Sequence, residues 1–112
     1  MSVSVVNEVD FNTLITDLDN LCKEIVAAKR PVYTNGNGDS LRNFRLNAAL
    51  ANSTLGQQLG FGLVKQITAI VDILNNPNTT DEERDRRFAD ARNYIDMAYV
   101  AYKKGQLYEK YL

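Results

Sequence analysis

Residues 80–104, TDEERDRRFADARNYIDMAYVAYKK, predict a long amphipathic helix, and this helix decides the fold of the chain. Its start is specified by a capping-box pattern, Thr80 followed three residues later by Glu83, with acidic residues at the partly positive helix N-terminus. From there apolar and small residues recur at alternating steps of three and four, the spacing of one helix face. We expect this face to be the core stripe: Phe88, Ala91, Ile95, Ala98 and Tyr102.

A second line on the same helix brings polar side chains to the edge of the predicted core. Asp90 begins this line, Tyr94, Met97 and Ala101 continue it, and Asn93 lies beside it. Polar groups close to a core need hydrogen-bond partners. Two interpretations stay open: Asp90 and Asn93 bond to a neighbouring helix and hold the fold, or they face a ligand.

Length and charge bound the class of protein. At 112 residues the chain is expected to form one domain with an ordinary core and no help from disulfides or metal ions. The net charge is -1, and Lys and Arg are interspersed with Asp and Glu, which argues against nucleic acid as a partner. The sequence has neither a long apolar run nor a signal-peptide pattern, so we expect no membrane association and a cytoplasmic location.

One cysteine and no histidine occur in the sequence. Cys22 follows Ile15 and Leu18 at helical spacing, so it is expected to be a small buried hydrophobe. Because no imidazole is present, the sequence excludes Cys-His and Ser-His catalysis, and it excludes zinc sites that use histidine.

The N-terminal third predicts a short arm and a first helix. Residues 1–8 are β-branched and without turn residues, which suits a flexible arm or an arm that lies across a second subunit. Asp10 or Asn12 is expected to cap a helix that runs to about Lys29 and is stopped by Pro31. Its inward stripe is predicted to be Phe11, Leu14, Ile15, Leu18, Leu21, Cys22 and Ile25.

Residues 32–39, VYTNGNGD, contain two Asn-Gly pairs and predict a loop. Turn formation alone explains most such pairs. Alternatively, Gly36 and Gly38 let backbone amides approach an anion such as a phosphate, as in backbone nests.

Two more helices are predicted between this loop and residue 80. The first spans about residues 40–53, carries a narrow apolar stripe, and is capped by Asp39 or Ser40. The second spans about residues 57–75, and its wide apolar arc predicts the most buried element. Lys65 on this helix is more often a surface cation with a buried stem than a ligand clamp.

The predicted elements form an all-α domain, a four-helix bundle-like arrangement of antiparallel helices with short loops. No stretch shows convincing period-two alternation, so no strand is expected. The final segment, residues 106–112, is too apolar for an inert tail and is expected to dock on the chain's own core or on a second subunit.

The order of several residues resembles the small helical phage and bacterial proteins described as nucleotide-modification-associated domains. The resemblance covers about residues 31–103, and it rests on Tyr33 with the glycine-containing loop, Asn43-Phe44, Lys65, and Asp90 with Asn93-Tyr94. It implies a nucleotide ligand. Aromatic faces accept bases, Lys and Arg complement phosphate, and Asp and Asn bond to hydroxyls or base edges. The implied ligand-binding residues are Tyr33, Gly36, Gly38, Arg42, Asn43, Lys65, Asp90, Asn93 and Tyr94.

More distantly, the last helix is similar to the final motif helix of MazG-like all-α nucleoside triphosphate pyrophosphatases, where a Glu-x-x-Asp pair helps to hold magnesium. The matching positions here are Arg87 and Asp90, so the Glu is missing. In that family the preceding helix supplies Glu-x-x-Glu, whereas residues 62–74 here contain Lys65 and a single acid, Asp72. Several converging carboxylates normally hold magnesium. We therefore expect no cofactor, with Mg²⁺ required only if the chain is a pyrophosphatase.

Three hypotheses for function follow. The first is a phage-type protein of the host cytoplasm that binds a nucleotide or nucleotide-derived signal without turnover, with sequestration as one outcome, in a pocket completed by two subunits of a homo-oligomer. The second is a non-catalytic helical oligomeric interaction protein, in which Asp90, Asn93 and Lys65 form an interhelical polar network. The third is a degenerate MazG-like nucleotide pyrophosphatase.

Overall fold

Four α-helices follow one another in the part of the chain that the structure describes, which confirms the predicted all-α, bundle-like fold. The computed structural model describes residues 5–34 and 39–110, and it describes residues 30–34 by their backbone alone. The helices are α1 (Glu8–Thr34), α2 (Arg42–Leu50), α3 (Leu55–Asn75) and α4 (Asp81–Lys103). The most extensive helix contact joins α3 to α4, while α1 also packs on α4 and α2 packs on α3.

Helix α1 starts earlier and ends later than its sequence pattern predicts. The side chain of Asn7 caps it, because Asn7 Oδ1 accepts a hydrogen bond of 2.8 Å from the backbone N–H of Asp10. The expected stop at Pro31 is wrong, since the helix continues to Thr34. A proline has a helical φ and removes one backbone hydrogen bond, so a helix can run on for a last turn at that cost.

The apolar stripe of α1 is buried only in its second half. Phe11 and Leu14 are exposed, contrary to the predicted stripe, and every described residue from Val5 to Asp17 is exposed. Cys22 and Ile25 are buried and form one core cluster with Ala89, flanked by Leu18 and Leu21. The pattern is continuous in the sequence, but α1 has a helix to pack against only from about residue 18 onward.

Helices α2 and α3 begin with caps that differ from the predicted ones. The Asp39 carboxylate accepts a hydrogen bond of 3.0 Å from the N–H of Leu41, but Leu41 itself is the N-cap position of α2. Helix α3 starts at Leu55, two residues earlier than expected, because Thr54 and Gln57 form a reciprocal capping box. At α4 the predicted Thr80 cap is confirmed by a 3.2 Å hydrogen bond from the N–H of Glu83.

Helix α4 buries only part of the predicted core stripe: Ala91 is buried as expected and Ala98 is half-buried. Phe88, Ile95 and Tyr102 are exposed, whereas Ala89 and Ala101 are fully buried. The reason is that α4 lies between α1 and α3 and contacts each through small side chains, which let helix axes approach closely. Large residues therefore fall at the margins, and apolar periodicity alone misplaces the packed face.

Helix α3 is not the most buried element. Leu55 and Leu59 are buried in a second core cluster, with Leu41 and Ala101, and Phe44, Met97 and Leu107 pack against it. The outer half of the wide apolar arc is exposed instead: Val64, Ile67, Val71 and Leu74. The prediction is wrong because α3 has its neighbours on one side only.

The segment after α4 closes over the N-terminus of α3. Gly105 has φ +68° and ends α4, and the N–H of Gln106 then bonds to the carbonyl of Ala101, as in helix C-caps with a left-handed glycine. The N–H groups of Leu55 and Gly56 donate to the carbonyls of Glu109 and Leu107, at 3.1 and 2.7 Å. Two of the N–H groups that a helix start leaves without partners are thus satisfied.

Arg45 on α2 fixes the same segment through charged side chains. Its guanidinium bonds to Asp39 at 2.9 Å, to Glu109 at 3.1 Å and to Gln106 at 2.6 Å. The arginine is half-buried, and charge-assisted bonds of this kind are stronger than neutral ones. The predicted docking of residues 111–112 lies outside the described residues.

The packed helices form an elongated body of 59 × 25 × 24 Å. Its radius of gyration is 16.7 Å, whereas a compact domain of this length has about 13 Å. Among the described residues, none of the helices combines the length and the apolar character needed to cross a bilayer.

Candidate functional site

The turn of α4 from Asp90 to Tyr94 is where the other three helices meet. Asp90 faces Lys29 of α1, Asn93 contacts Cys22 of α1, and Tyr94 contacts both α2 and α3. Several sequence-predicted ligand residues therefore share one region of the molecule. Their individual contacts separate those that hold the fold from those that are free to meet a ligand.

Asp90 is half-buried and forms an ion pair with Lys29, with 3.5 Å between Oδ1 and Nζ. The Lys29 side chain is 44% exposed and that of Asp90 is 23% exposed. Solvent screens a pair with this exposure, so it contributes less than about 1 kcal/mol to stability. A ligand that offers its own hydrogen bonds can replace it at small cost.

Asn93 is the buried polar residue of α4, at 9% exposure. Its side-chain Nδ2 donates a hydrogen bond of 3.4 Å to the backbone carbonyl of Cys22, and the Cys22 thiol donates to the carbonyl of Ala89 at 3.6 Å. These two hydrogen bonds tie α1 to α4. The sequence leaves open whether Asn93 bonds to a neighbouring helix or faces a ligand. In the structure it bonds to a neighbouring helix.

Tyr94 is packed between two helices. Its ring meets Phe44 edge to face, with ring centres 5.6 Å apart and planes at 88°. On the other side the ring lies against Gly62 of α3, so closely that a Cβ at position 62 would overlap it. The glycine is therefore required by the aromatic ring, and Phe44-Tyr94 forms a packing contact between α2 and α4.

The remaining predicted residues lie at different places around this region. Asn43 and Arg42 are half-buried in the first turn of α2, and Lys65 is exposed on α3 with no ion pair in the part of the chain that the structure describes. Tyr33 is placed by its backbone alone, one helical turn beyond Lys29 in α1. Gly36 and Gly38 lie outside the described residues.

Gln66 is a polar residue that sequence reasoning passed over. Its Oε1 is buried and has no hydrogen-bond donor among the described residues. A pattern in the sequence indicates its position, because Gln66 lies on the inward line of α3 seven residues from both Leu59 and Ile73, which are buried. A glutamine on such a line places a polar side chain on the side of α3 that packs in the core.

An open cleft of about 290 Å³ lies along the first half of α4 and includes Asp90. Two guanidinium groups, Arg86 and Arg87, line it. The other lining residues are Glu82, Glu83 and Thr80, the N-cap of α4. Arg87 is loosely paired with Glu83, at 3.8 Å, whereas Arg86 has no ion pair among the described residues. Lys29 of α1 adds a third cation nearby, since its Nζ forms an ion pair with Asp90. The cleft thus holds two guanidinium groups and three carboxylates, and Lys29 pairs with one of these carboxylates from α1.

A second open cleft, of about 400 Å³, lies further along the α1–α4 junction and includes Cys22 and Asn93. Arg92 on its rim is bound to Asp19, and this hydrogen bond raises the pKa of the arginine further above its already high value. Burial raises the pKa of the Cys22 thiol, with Arg92 opposing the shift and nearby acids adding to it. The thiol is therefore a poor nucleophile near neutral pH.

Among the described residues, no three His, Cys, Asp or Glu side chains are placed to hold a metal ion together. Comparison of the chain with family models, with curated proteins and with solved structures gave no match.

Proposed function

We propose that the protein binds a nucleotide or nucleotide-derived small molecule without turnover, at the cleft around Asp90. The observation that carries the proposal is that Arg86 and Arg87 line the same open cleft as the Asp90 carboxylate, which Lys29 of α1 also reaches. This combination offers cations for phosphate and an acceptor for a sugar hydroxyl or a base amine.

Phosphate is the part of the ligand that the cleft suits best. Guanidinium groups match phosphate oxygens in geometry. Arg86 has no ion pair among the described residues, so it can bind a phosphate without breaking one. If the phosphate attracts Lys29 as well, the Asp90 carboxylate becomes free to accept hydrogen bonds from the ligand. The continuation of α1 to Thr34 supports a role for Tyr33, since its backbone lies one turn past Lys29.

Arg87 supports binding without turnover. It occupies the position at which the MazG-like pattern has a metal-binding Glu, and here it lines the cleft. A cation at this position neutralises phosphate directly, whereas an acid would need a metal ion between itself and the phosphate. The same residue that departs from the enzyme pattern therefore favours anion binding.

Isothermal titration of the purified chain with nucleoside mono-, di- and triphosphates, cyclic dinucleotides and ADP-ribose tests the proposal. Arg86→Ala and Asp90→Asn should each weaken binding at least tenfold, because each removes a charge-assisted hydrogen bond. Lys103→Ala and Asp85→Asn are matched controls on the same helix, since these exposed residues lie outside the cleft. They should leave the affinity unchanged.

Two outcomes would reject the proposal. Absence of heat and of thermal shift with every ligand at millimolar concentration would show that no nucleotide binds. Recovery of a cleaved ligand, only when Mg²⁺ is added, would support the pyrophosphatase hypothesis instead. A ligand that is recovered intact with and without Mg²⁺ is the expected result.

A non-catalytic interaction protein is the second candidate function, and exposed apolar faces favour it. Large apolar side chains are exposed on the first half of α1 and on the outer side of α3. A melting temperature that depends on protein concentration but not on nucleotides would support this candidate, because only a ligand of the native state raises its stability.

A further inference from the structure

The outer side of α3 carries a continuous apolar seam that no described residue of the chain covers. The residues of this seam are separated by alternating steps of four and three along α3. This is the repeat of a helix that pairs with another helix. Its large members are at least half exposed. The seam residues are Gly60, Val64, Ile67, Val71 and Leu74.

The opposite side of α3 packs on α4, so this helix is apolar on two sides. Leu59 and Ile73 face the core, whereas the seam faces outward. A helix that is hydrophobic all round is normally covered all round. The charged residues near the seam, Lys65 and Asp72, lie to one side of it, and a centre without charge is the mark of an interface core.

The surface of the chain is large enough to supply a stable interface. Its accessible surface is 8351 Å², whereas a compact monomer of this mass exposes roughly 6,200 Å². A standard protein interface removes about 800 Å² from each partner. The excess is more than twice what one partner contributes, and the exposed first half of α1 and the outer side of α3 both add to it.

We propose that the seam of α3 pairs antiparallel with the same seam of a second copy of this chain, about a twofold axis at Ile67. The residue sizes fit this arrangement. Gly60 of one copy falls opposite Leu74 of the second copy, at both ends of the pair, and Val64 falls opposite Val71. Nothing in the described structure lies within 4 Å of a Cβ placed on Gly60, so the space for a partner's leucine is open.

The proposal is independent of nucleotide binding. The seam lies on the side of α3 turned away from α4, and the cleft with Asp90 lies along the first half of α4. A parallel pair would place Gly60 against Gly60 and Leu74 against Leu74, which leaves a void at one end and crowding at the other. The antiparallel pair is isologous, so it closes as a dimer.

Light scattering during size-exclusion chromatography gives the first test. The chain should elute with twice its mass of 12.6 kDa at micromolar concentration. Ile67→Glu should raise the dimer dissociation constant roughly hundredfold or more, because two carboxylates would meet at the twofold axis in a position central to the interface. Leu50→Glu is the matched control, since Leu50 is 88% exposed on α2 and lies off the seam. It should leave the mass unchanged.

Circular dichroism must show that Ile67→Glu keeps its helices. If it does not, Gly60→Leu replaces it, because the open space lets one chain accommodate the leucine while the pair would bring it against Leu74. A native mass of one chain would overturn the proposal. So would a dimer whose dissociation constant neither Ile67→Glu nor Gly60→Leu raises.

Disulfide formation tests the direction of pairing. In a Cys22→Ala background, a mixture of Val64→Cys and Val71→Cys chains should oxidise to a mixed covalent dimer faster than either variant alone. Fast self-linking of Val64→Cys by itself would overturn the antiparallel arrangement, because it requires the two α3 helices to run in the same direction.

Discussion

Gly60 and Gly62 lie two residues apart in the same helix, yet substitution by alanine should change stability in opposite directions. At both positions alanine favours the helix by about 0.5–1 kcal/mol, because glycine loses more backbone entropy on folding. At Gly60 the added methyl group meets open space, so the gain is kept. At Gly62 the methyl group overlaps the ring of Tyr94, which is already held by Phe44.

The size of the effect at Gly62 follows from the cost of forcing atoms into a packed contact. Overpacking of this kind costs about 1–3 kcal/mol, which exceeds the gain in helix propensity. We expect Gly62→Ala to lower the free energy of unfolding by about 1–2 kcal/mol and Gly60→Ala to raise it by about 0.5–1 kcal/mol. For a domain of this length, 1 kcal/mol corresponds to about 4 °C in Tm.

Urea unfolding followed by circular dichroism at 222 nm measures both values. Each substitution is made in the Ile67→Glu background, so that pairing of α3 with a second copy does not contribute. If Gly62→Ala stabilises the chain as much as Gly60→Ala, then the Tyr94 ring does not lie over Gly62, and α3 and α4 do not pack through this contact. Tyr94→Leu should restore much of the stability of Gly62→Ala, because a smaller side chain makes room for the methyl group.

Three further predictions concern the caps and the α1–α4 junction. Thr54→Ala should lower the free energy of unfolding by about 1 kcal/mol in the same urea assay, because the capping box at α3 is lost, and Thr54→Ser should restore it. Asn93→Leu should lower the free energy of unfolding by about 0.5–1.5 kcal/mol, because it removes the hydrogen bond from Asn93 Nδ2 to the Cys22 carbonyl, which then keeps only its bond within α1. A variant as stable as the native chain would contradict this prediction. Burial raises the pKa of the Cys22 thiol, so the unfolded chain loses this proton at a lower pH than the folded chain does. The contribution of the protonated thiol to the free energy of unfolding is therefore complete below the ordinary thiol pKa of about 8.5. It is lost as the pH rises above that value. Stability measured from pH 7 to 10 should therefore fall more steeply for the native chain than for Cys22→Ala, and parallel curves would contradict the assignment.

The fold class could be predicted from the sequence because helix starts and periodicity are local properties. Thr80 and its acidic neighbours define the start of α4, and the structure confirms it. Which face is buried is not local. The alanine side chains at positions 89 and 101 are fully buried, and a periodicity that weights large apolar residues does not find them.

The candidate site was only partly accessible to sequence reasoning. The sequence indicates both Asp90 and Asn93 because they are polar at the edge of a predicted core, but only the structure separates them. Asn93 bonds to a backbone carbonyl inside the α1–α4 junction, whereas Asp90 opens onto a cleft. The partner of Asp90 is Lys29, which lies 61 positions earlier in the chain, and no local pattern relates the two.

The contact between the segment after α4 and the start of α3 has a consequence for how the chain folds as it is synthesised. The amide groups of Leu55 and Gly56 find their acceptors on Leu107 and Glu109, which a ribosome adds about fifty residues later. Until that segment has emerged, α3 has an incomplete N-terminus and its first buried leucine lacks part of its cover. The native arrangement of α3 is thus completed only after residues 107–109 have been added, and a chain truncated at Lys104 should be more sensitive to proteolysis around Thr54 than one that extends beyond Lys110.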